Sequence, residues 1–260
     1  FTFYGKLEGI REGTILAALF VGTIANIYQK RILFLDKILK PEKAIEYVTQ
    51  PYMITDNFVI TISRQYGSGG HAVGEIIAKK LGVGFYDSKI IDLTSIASGF
   101  TPEYVEKHEQ KLPNGLLDKL YNSNYSYINE VIPPNDKLFI AQTAVIRNIA
   151  ANESCVIVGR AANYILKGHK KCFNVFVHAD KGFRKKRVEQ IYMIDPNESL
   201  RLMGRKDKER DEYSCHYTGK HWDNLKEYDL TVDTSLFGIE ATADMIIEAA
   251  EKAGILKSDN

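Results

Sequence analysis

Residues 58–82 read FVITISRQYGSGGHAVGEIIAKKLG, and no other stretch limits the fold as sharply. A β-branched apolar run (58–63) is followed by a glycine-rich turn (66–70) and then by a helical pattern from His71 onward. Strand, glycine turn and helix place bare backbone N–H groups around an anion. Glycine is needed there because the chain must take positive φ and approach the anion without a Cβ in the way.

The turn departs from the usual phosphate-loop pattern GxxxxGK[ST], in which the lysine reaches the β- and γ-phosphates and the hydroxyl holds Mg²⁺. Gly70 or His71 falls where the lysine belongs, and His71 or Ala72 where the hydroxyl belongs. The scaffold is present without two of its chemical groups.

Further along, short β-rich runs alternate with helical patterns. Strands are expected over 58–63, 84–87, 154–159, 173–178 and 228–233. Helices are expected over 71–81, 88–98, 137–151, 181–192, 198–212 and 239–253. This alternation predicts an α/β fold, a parallel sheet covered by helices on both faces. Ligands of such sheets sit at the carboxyl ends of the strands, which gathers Arg64, Asp87, Arg160 and the residues after Asp233 at one crevice.

Basic residues concentrate after the fourth strand, at Arg184, Lys185, Lys186, Arg187, Arg201, Arg205, Lys206, Lys208 and Arg210. Arg184 and Arg187 share a helix face, as do Arg201 and Arg205. One reading is a mobile lid that closes arginines over phosphates. The other is a solvated helix laced with ion pairs, since Asp207, Glu209, Asp211 and Glu212 are interleaved with the bases. Across the whole chain 34 Lys+Arg nearly balance 33 Asp+Glu, so no global field favours nucleic acid. Cys155, Cys172 and Cys215 show no pairing pattern, and His169 with Cys172 lacks the second pair that a metal site needs, so no metal site is expected. The 121–127 stretch, YNSNYSY, and Trp222 offer aromatic faces for a base, although packing is the commoner use of such residues. Glu106 and Glu109 read as a solvated helix face.

The beginning of the chain differs in character. It starts at Phe1, which suggests a fragment or a processed product. Residues 14–28, TILAALFVGTIANIY, are apolar and uncharged, yet shorter than the roughly 20 residues of a spanning helix. Lys30 and Arg31 follow, as on the cytoplasmic side of a membrane, and Lys37, Lys40 and Lys43 lie beyond. From the pattern alone, a buried helix of the soluble fold and the end of a membrane domain fit equally. The run from Gly9 to Ile27 resembles the last segment of a family of multi-pass bacterial membrane proteins. That likeness implies residues 1–32 as an apolar helix, 33–56 as a linker and 57–256 as a domain on the inner face of the bacterial membrane.

ITISRQYGSGGHAVGEIIAKKLGVGFYDSKII, VIVGRAANYIL and DKERDEYSCHYTGKHWDNLKEYDLTVDTS occur in order and resemble the cytidylate kinase-like family, a branch of P-loop nucleoside monophosphate kinases with an altered phosphate loop. The likeness runs from Phe58 to about Gly254. It implies a three-layer P-loop kinase fold with a five-stranded parallel sheet and a helical lid. It also implies ATP and Mg²⁺ as cofactors and a nucleoside monophosphate, such as CMP or dCMP, as acceptor. On this resemblance Gly67, Ser68, Gly69 and Gly70 form the phosphate loop, with His71 beside them. Asp87 and Ser88 hold the acceptor, and Arg160 touches its phosphate. Arg184, Arg187 and Arg201 serve substrate binding, while Arg64, Arg205 and Arg210 join Asp87 and Arg160 in catalysis. Asp229 and Asp233 are structural. Two departures bear on the acceptor: Ala161 stands where the family has a base-reading aspartate, and Leu93 where it has an arginine. A nucleotide sensor that binds without turnover is the alternative to the kinase. Oligomeric state is not set by the sequence.

Overall fold

A computed structural model describes residues 56–108 and 134–256 of the chain. Five parallel strands form one sheet: β1 (Val59–Arg64), β2 (Gly84–Tyr86), β3 (Cys155–Val158), β4 (Cys172–His178) and β5 (Leu230–Asp233), in the order β2-β3-β1-β4-β5. β1 is central, with Val59 opposite both Cys155 and Cys172, and Ile62 opposite Val158 and Val175. A strand flanked on both edges and covered on both faces must be apolar throughout. Val59, Ile60 and Ile62 are accordingly fully buried. Thr61 is the polar exception among the buried residues of β1, and its hydroxyl donates to Asn174 Oδ1 at 2.8 Å.

The helices are α1 (Gly70–Leu81), α2 (Lys89–Ser98), α3 (Pro102–His108), α4 (Pro134–Asn152), α5 (Ala162–Ile165), α6 (Lys181–Ile191), α7 (Pro196–Thr218), α8 (Thr234–Phe237) and α9 (Ile239–Lys252). Period-two alternation divides the strand side chains between two cores. Ile60, Ile62, Val156 and Val158 pack with Val73 and Ile77 of α1 and Ile246 of α9. Val59, Cys155 and Ile157 pack with Ile90 of α2 and Val145 and Ile146 of α4. The result is a helix–sheet–helix sandwich.

Every strand and helix expected from the sequence within these residues is present, with shifted ends. α7 begins at Pro196 and not at residue 198, because Asp195 caps it: its carboxylate accepts the Asn197 N–H at 2.7 Å, and proline suits the first turn. α7 also runs on to Thr218, where Gly219 in the left-handed region ends it. The expected apolar helix of residues 1–32, the linker to residue 55 and the 121–127 aromatic stretch lie outside the described residues. Among the described residues no helix is long and apolar enough to cross a membrane.

β1 carries both cores and the loop that follows it. Ile62→Ala is expected to lower unfolding free energy by about 2–5 kcal/mol, read by chemical denaturation.

Candidate active site

Backbone and hydroxyl contacts fix the turn after β1. Gln65 N–H donates to the Val177 carbonyl at 3.0 Å, and the Gln65 carbonyl accepts the Ser68 hydroxyl at 2.8 Å. Thr234, at the start of α8, donates its hydroxyl to the buried Ser68 carbonyl at 2.6 Å. Gly67 sits at φ +82°, and a Cβ there would lie 2.9 Å from both the Arg184 carbonyl oxygen and Val188 Cγ2. Gly69, at φ +89°, is the N-cap of α1; no side chain caps that helix and no acid lies in its first turn. An uncapped helix start with its leading N–H groups outside the helical ladder can take an anion.

α7 holds this turn from the far side. The Asp207 carboxylate accepts the Tyr66 N–H at 2.8 Å and pairs closely with Arg184, whose Nε donates to the Tyr66 carbonyl at 2.8 Å. Arg210 donates to the Arg64 carbonyl at 2.9 Å, lies 3.6 Å from Asp207, and sits 5.5 Å from the centre of the Tyr66 ring.

The carboxyl ends of β1, β2 and β3 meet in a cleft of about 260 Å³ lined by Arg64, Tyr66, Asp87, Ser88, Ile91, Glu106, Arg160, Lys206, Glu209 and Arg210. At its centre Asp87 accepts a 2.6 Å hydrogen bond from His71 Nδ1, with Arg160 at 3.9 Å and Arg64 at 4.0 Å. Burial alone would push the Asp87 carboxyl up; the His71 hydrogen bond and the charges of Arg64 and Arg160 outweigh it and hold the group below its ordinary value. That hydrogen bond raises the His71 imidazole above its ordinary value. Burial pulls Arg160 down to about 10 and Arg210 down to about 9, and Arg64 shifts the same way. Glycine is required beside Arg64: a Cβ on Gly159 would meet Arg64 Nη1 at 2.1 Å, and one on Gly70 would meet Arg64 Cβ at 2.6 Å. Arg160 and Ala161 both adopt left-handed backbone, at φ 60° and 51°, and this strain aims the Arg160 side chain inward, where the residue is 4% exposed.

The cleft thus gathers Arg64, Asp87, Ser88, Arg160 and Arg210, with His71 and the glycine turn adjoining. Arg187 lies against the turn, its Nε 3.4 Å from where a Gly69 Cβ would stand. Arg184 is committed to Tyr66 and Asp207 behind the turn. Arg201 and Arg205 line a separate surface hollow with Met193, Ile194 and Asp195, and pair with Glu198 and Glu209. Sequence reasoning missed Tyr66, Ile91, Lys206 and Glu209 as lining residues; Glu106 is exposed, as expected of a solvated face, and also borders the cleft. The three-residue spacing of Asp207 and Arg210 was the available signal that both face one way. Trp222 meets Phe176 edge-on at 5.3 Å and borders an adjoining cavity with Arg160, Arg210 and Tyr213.

Two expectations follow. Thr234→Val strands the buried Ser68 carbonyl and should cost about 1–3 kcal/mol of stability in denaturant titration. A protonated His71 with a raised folded value stabilises fully below its ordinary value of 6.5, and the contribution is lost as pH rises through the raised value. The stability gap between the natural chain and His71→Ala should therefore be widest near about pH 5.5 and narrow by about pH 9; a gap flat with pH would break the assignment.

A family model described as the cytidylate kinase-like family matches residues 59–236. A crystal structure of an uncharacterized protein from Eubacterium ventriosum is similar over 75% of this chain and 99% of its own, at 25% identity and a TM-score of 0.56. Shikimate kinase from Acinetobacter baumannii, solved with shikimate, aligns over 81% of this chain and 98% of its own at 15% identity and a TM-score of 0.44. No curated protein matches the chain. The matched residues span the glycine turn, the arginine cleft and the whole sheet, and the chain belongs to the cytidylate kinase-like family.

Proposed function

We propose that this chain transfers the terminal phosphoryl group of ATP to a small phosphate-bearing acceptor, a nucleoside monophosphate of the CMP/dCMP kind. The observation that carries this reading is the cluster of guanidiniums, Arg160 buried and Arg64 and Arg210 mostly so, with Asp87 among them beside an uncapped glycine turn. Clustered cations whose charge is disfavoured by burial gain most from a dianion, and bidentate guanidinium contacts suit phosphate.

In this reading Gly67, Ser68, Gly69, Gly70 and the His71 N–H hold the donor phosphates at the start of α1. Arg187, whose Nε makes no hydrogen bond among the described residues, supplies there the cation that lysine supplies in the ordinary loop. Arg160 grips the acceptor phosphate, and Asp87 with Ser88 orients the acceptor. Arg64 and Arg210 neutralise charge that develops during transfer, while Arg201 and Arg205 serve as outlying lid bases. Mg²⁺ bound with ATP would offset triphosphate charge; with no hydroxyl at the usual place of the loop, Asp87 is the cleft carboxylate that would help hold it. Ala161 does not read the base, so base choice rests on other groups. ATP dependence would place the domain on the cytoplasmic side, with residues 14–28 as its tether.

The test uses the 260-residue chain with ATP, Mg²⁺ and a panel of ribo- and deoxynucleoside monophosphates, following ADP formation and nucleotide binding together. Acceptor-dependent ADP is expected, and Arg160→Ala should reduce turnover by about 100-fold or more with the fold intact. Unchanged kinetics in that variant would overturn the assignment of Arg160. Nucleotide binding without any product would replace the kinase with a sensor.

A further inference from the structure

At the carboxyl end of α7, away from the glycine turn, Asp211, Cys215 and His221 bring a carboxylate oxygen, a thiol and an imidazole nitrogen within 4.8 Å of one another. Asp211 and Cys215 are four residues apart on one helix face, and His221 comes from the segment that folds back after Gly219. Cys215 Sγ lies 3.4 Å from His221 Nδ1 and 3.8 Å from Asp211 Oδ1, and His221 Nδ1 lies 3.0 Å from Asp211 Oδ1.

These separations match one face of a metal tetrahedron. With bonds of about 2.3 Å to sulfur and about 2.0 Å to nitrogen and oxygen, tetrahedral angles require S···N about 3.5 Å, S···O about 3.5 Å and N···O about 3.3 Å. The ligand atoms therefore need to move by only a few tenths of an ångström. The backbone N–H of Trp222 donates to Asp211 Oδ1 at 3.2 Å and orients that carboxylate, as an outer-shell partner does. The His221 side chain is 72% exposed, so an ion can reach the cluster from solvent.

We propose that Asp211, Cys215 and His221 form a binding site for a borderline-soft divalent cation, Zn²⁺ by its donor set, distinct from any Mg²⁺ that accompanies ATP. Thiolate and imidazole together select against the hard cations Mg²⁺ and Ca²⁺. Binding displaces the Cys215 thiol proton and moves the His221 imidazole to its Nε2–H tautomer, so affinity rises with pH. The ion clips the segment after Gly219 onto α7. That segment carries Trp222, which borders the cavity shared by Arg160 and Arg210. The cation would thus fix one wall beside the arginine cleft without touching a phosphate.

The test needs no turnover, so its result is independent of the proposed reaction. The 260-residue chain, stripped with a chelator, is titrated with Co²⁺ and then with Zn²⁺. One equivalent of Co²⁺ should give a thiolate-to-cobalt charge-transfer band in the near ultraviolet, and Zn²⁺ should abolish it. Trp222, the only tryptophan of the chain, adjoins His221, so its fluorescence should change with the same stoichiometry. Mg²⁺ should change neither signal. Cys215→Ser should remove the band, and His221→Gln should weaken binding at least about tenfold. Cys172→Ser should leave both signals unchanged. Should Cys215→Ser fail to fold, His221→Gln, altered at an exposed side chain, carries the test alone. The absence of a band at one equivalent, or a band that survives in Cys215→Ser, would overturn the proposal.

Discussion

Arg64, Arg160 and Arg210 converge where water is scarce, and each loses solvation that a single carboxylate, Asp87 or Asp207, only partly replaces. Burying an ion costs several kcal/mol even after relaxation. The two left-handed residues that point Arg160 inward add about 1–3 kcal/mol each. Such costs are only partly offset by local contacts. They are carried by the two apolar cores, whose buried β-branched strands hold the ends of β1, β2 and β3 at fixed spacing. The sheet is the support, and the unfavourable charge cluster is what it supports.

That arrangement explains how an altered phosphate loop can keep its shape. The turn is gripped from three sides: by Thr234 through the Ser68 carbonyl, by Arg184 through the Tyr66 carbonyl, and by Asp207 through the Tyr66 N–H. Two of these grips come from side chains that a charge-run reading would leave to solvent. The loop is built as much by α6 and α7 as by its own glycines.

The α/β alternation was legible because strand and helix periodicities are local, and the glycine turn because positive φ leaves a clear residue signature. Asp87 and Arg160 were reachable because strand ends converge in a parallel sheet. The role of Arg184 was not, since its partner Tyr66 lies 118 residues away. The same holds for Asp207 with Tyr66, 141 residues apart, and Arg210 with Arg64, 146 apart. Ion pairs between α7 neighbours, such as Lys206 with Glu209, look identical in sequence to the long-range ones. Glu106 was legible as a solvated residue of α3, where only Val105 is buried, but periodicity over seven residues does not show that its exposed face borders the cleft.

α7 runs through 23 residues and is moored twice: near its start the buried Ser199 bonds Glu189 of α6 and Met203 is buried, and farther on a second fastened part, Asp207, Arg210 and Tyr213, ties it to the glycine turn and to α4. Gly204 precedes that fastened part, with open space where a side chain would stand, so packing does not require glycine there. Glycine inside a helix forfeits about 1 kcal/mol relative to alanine. The rod's own helical propensity is therefore lowest between its two moorings, one on α6 through Ser199 and one on the glycine turn through Asp207 and Arg210.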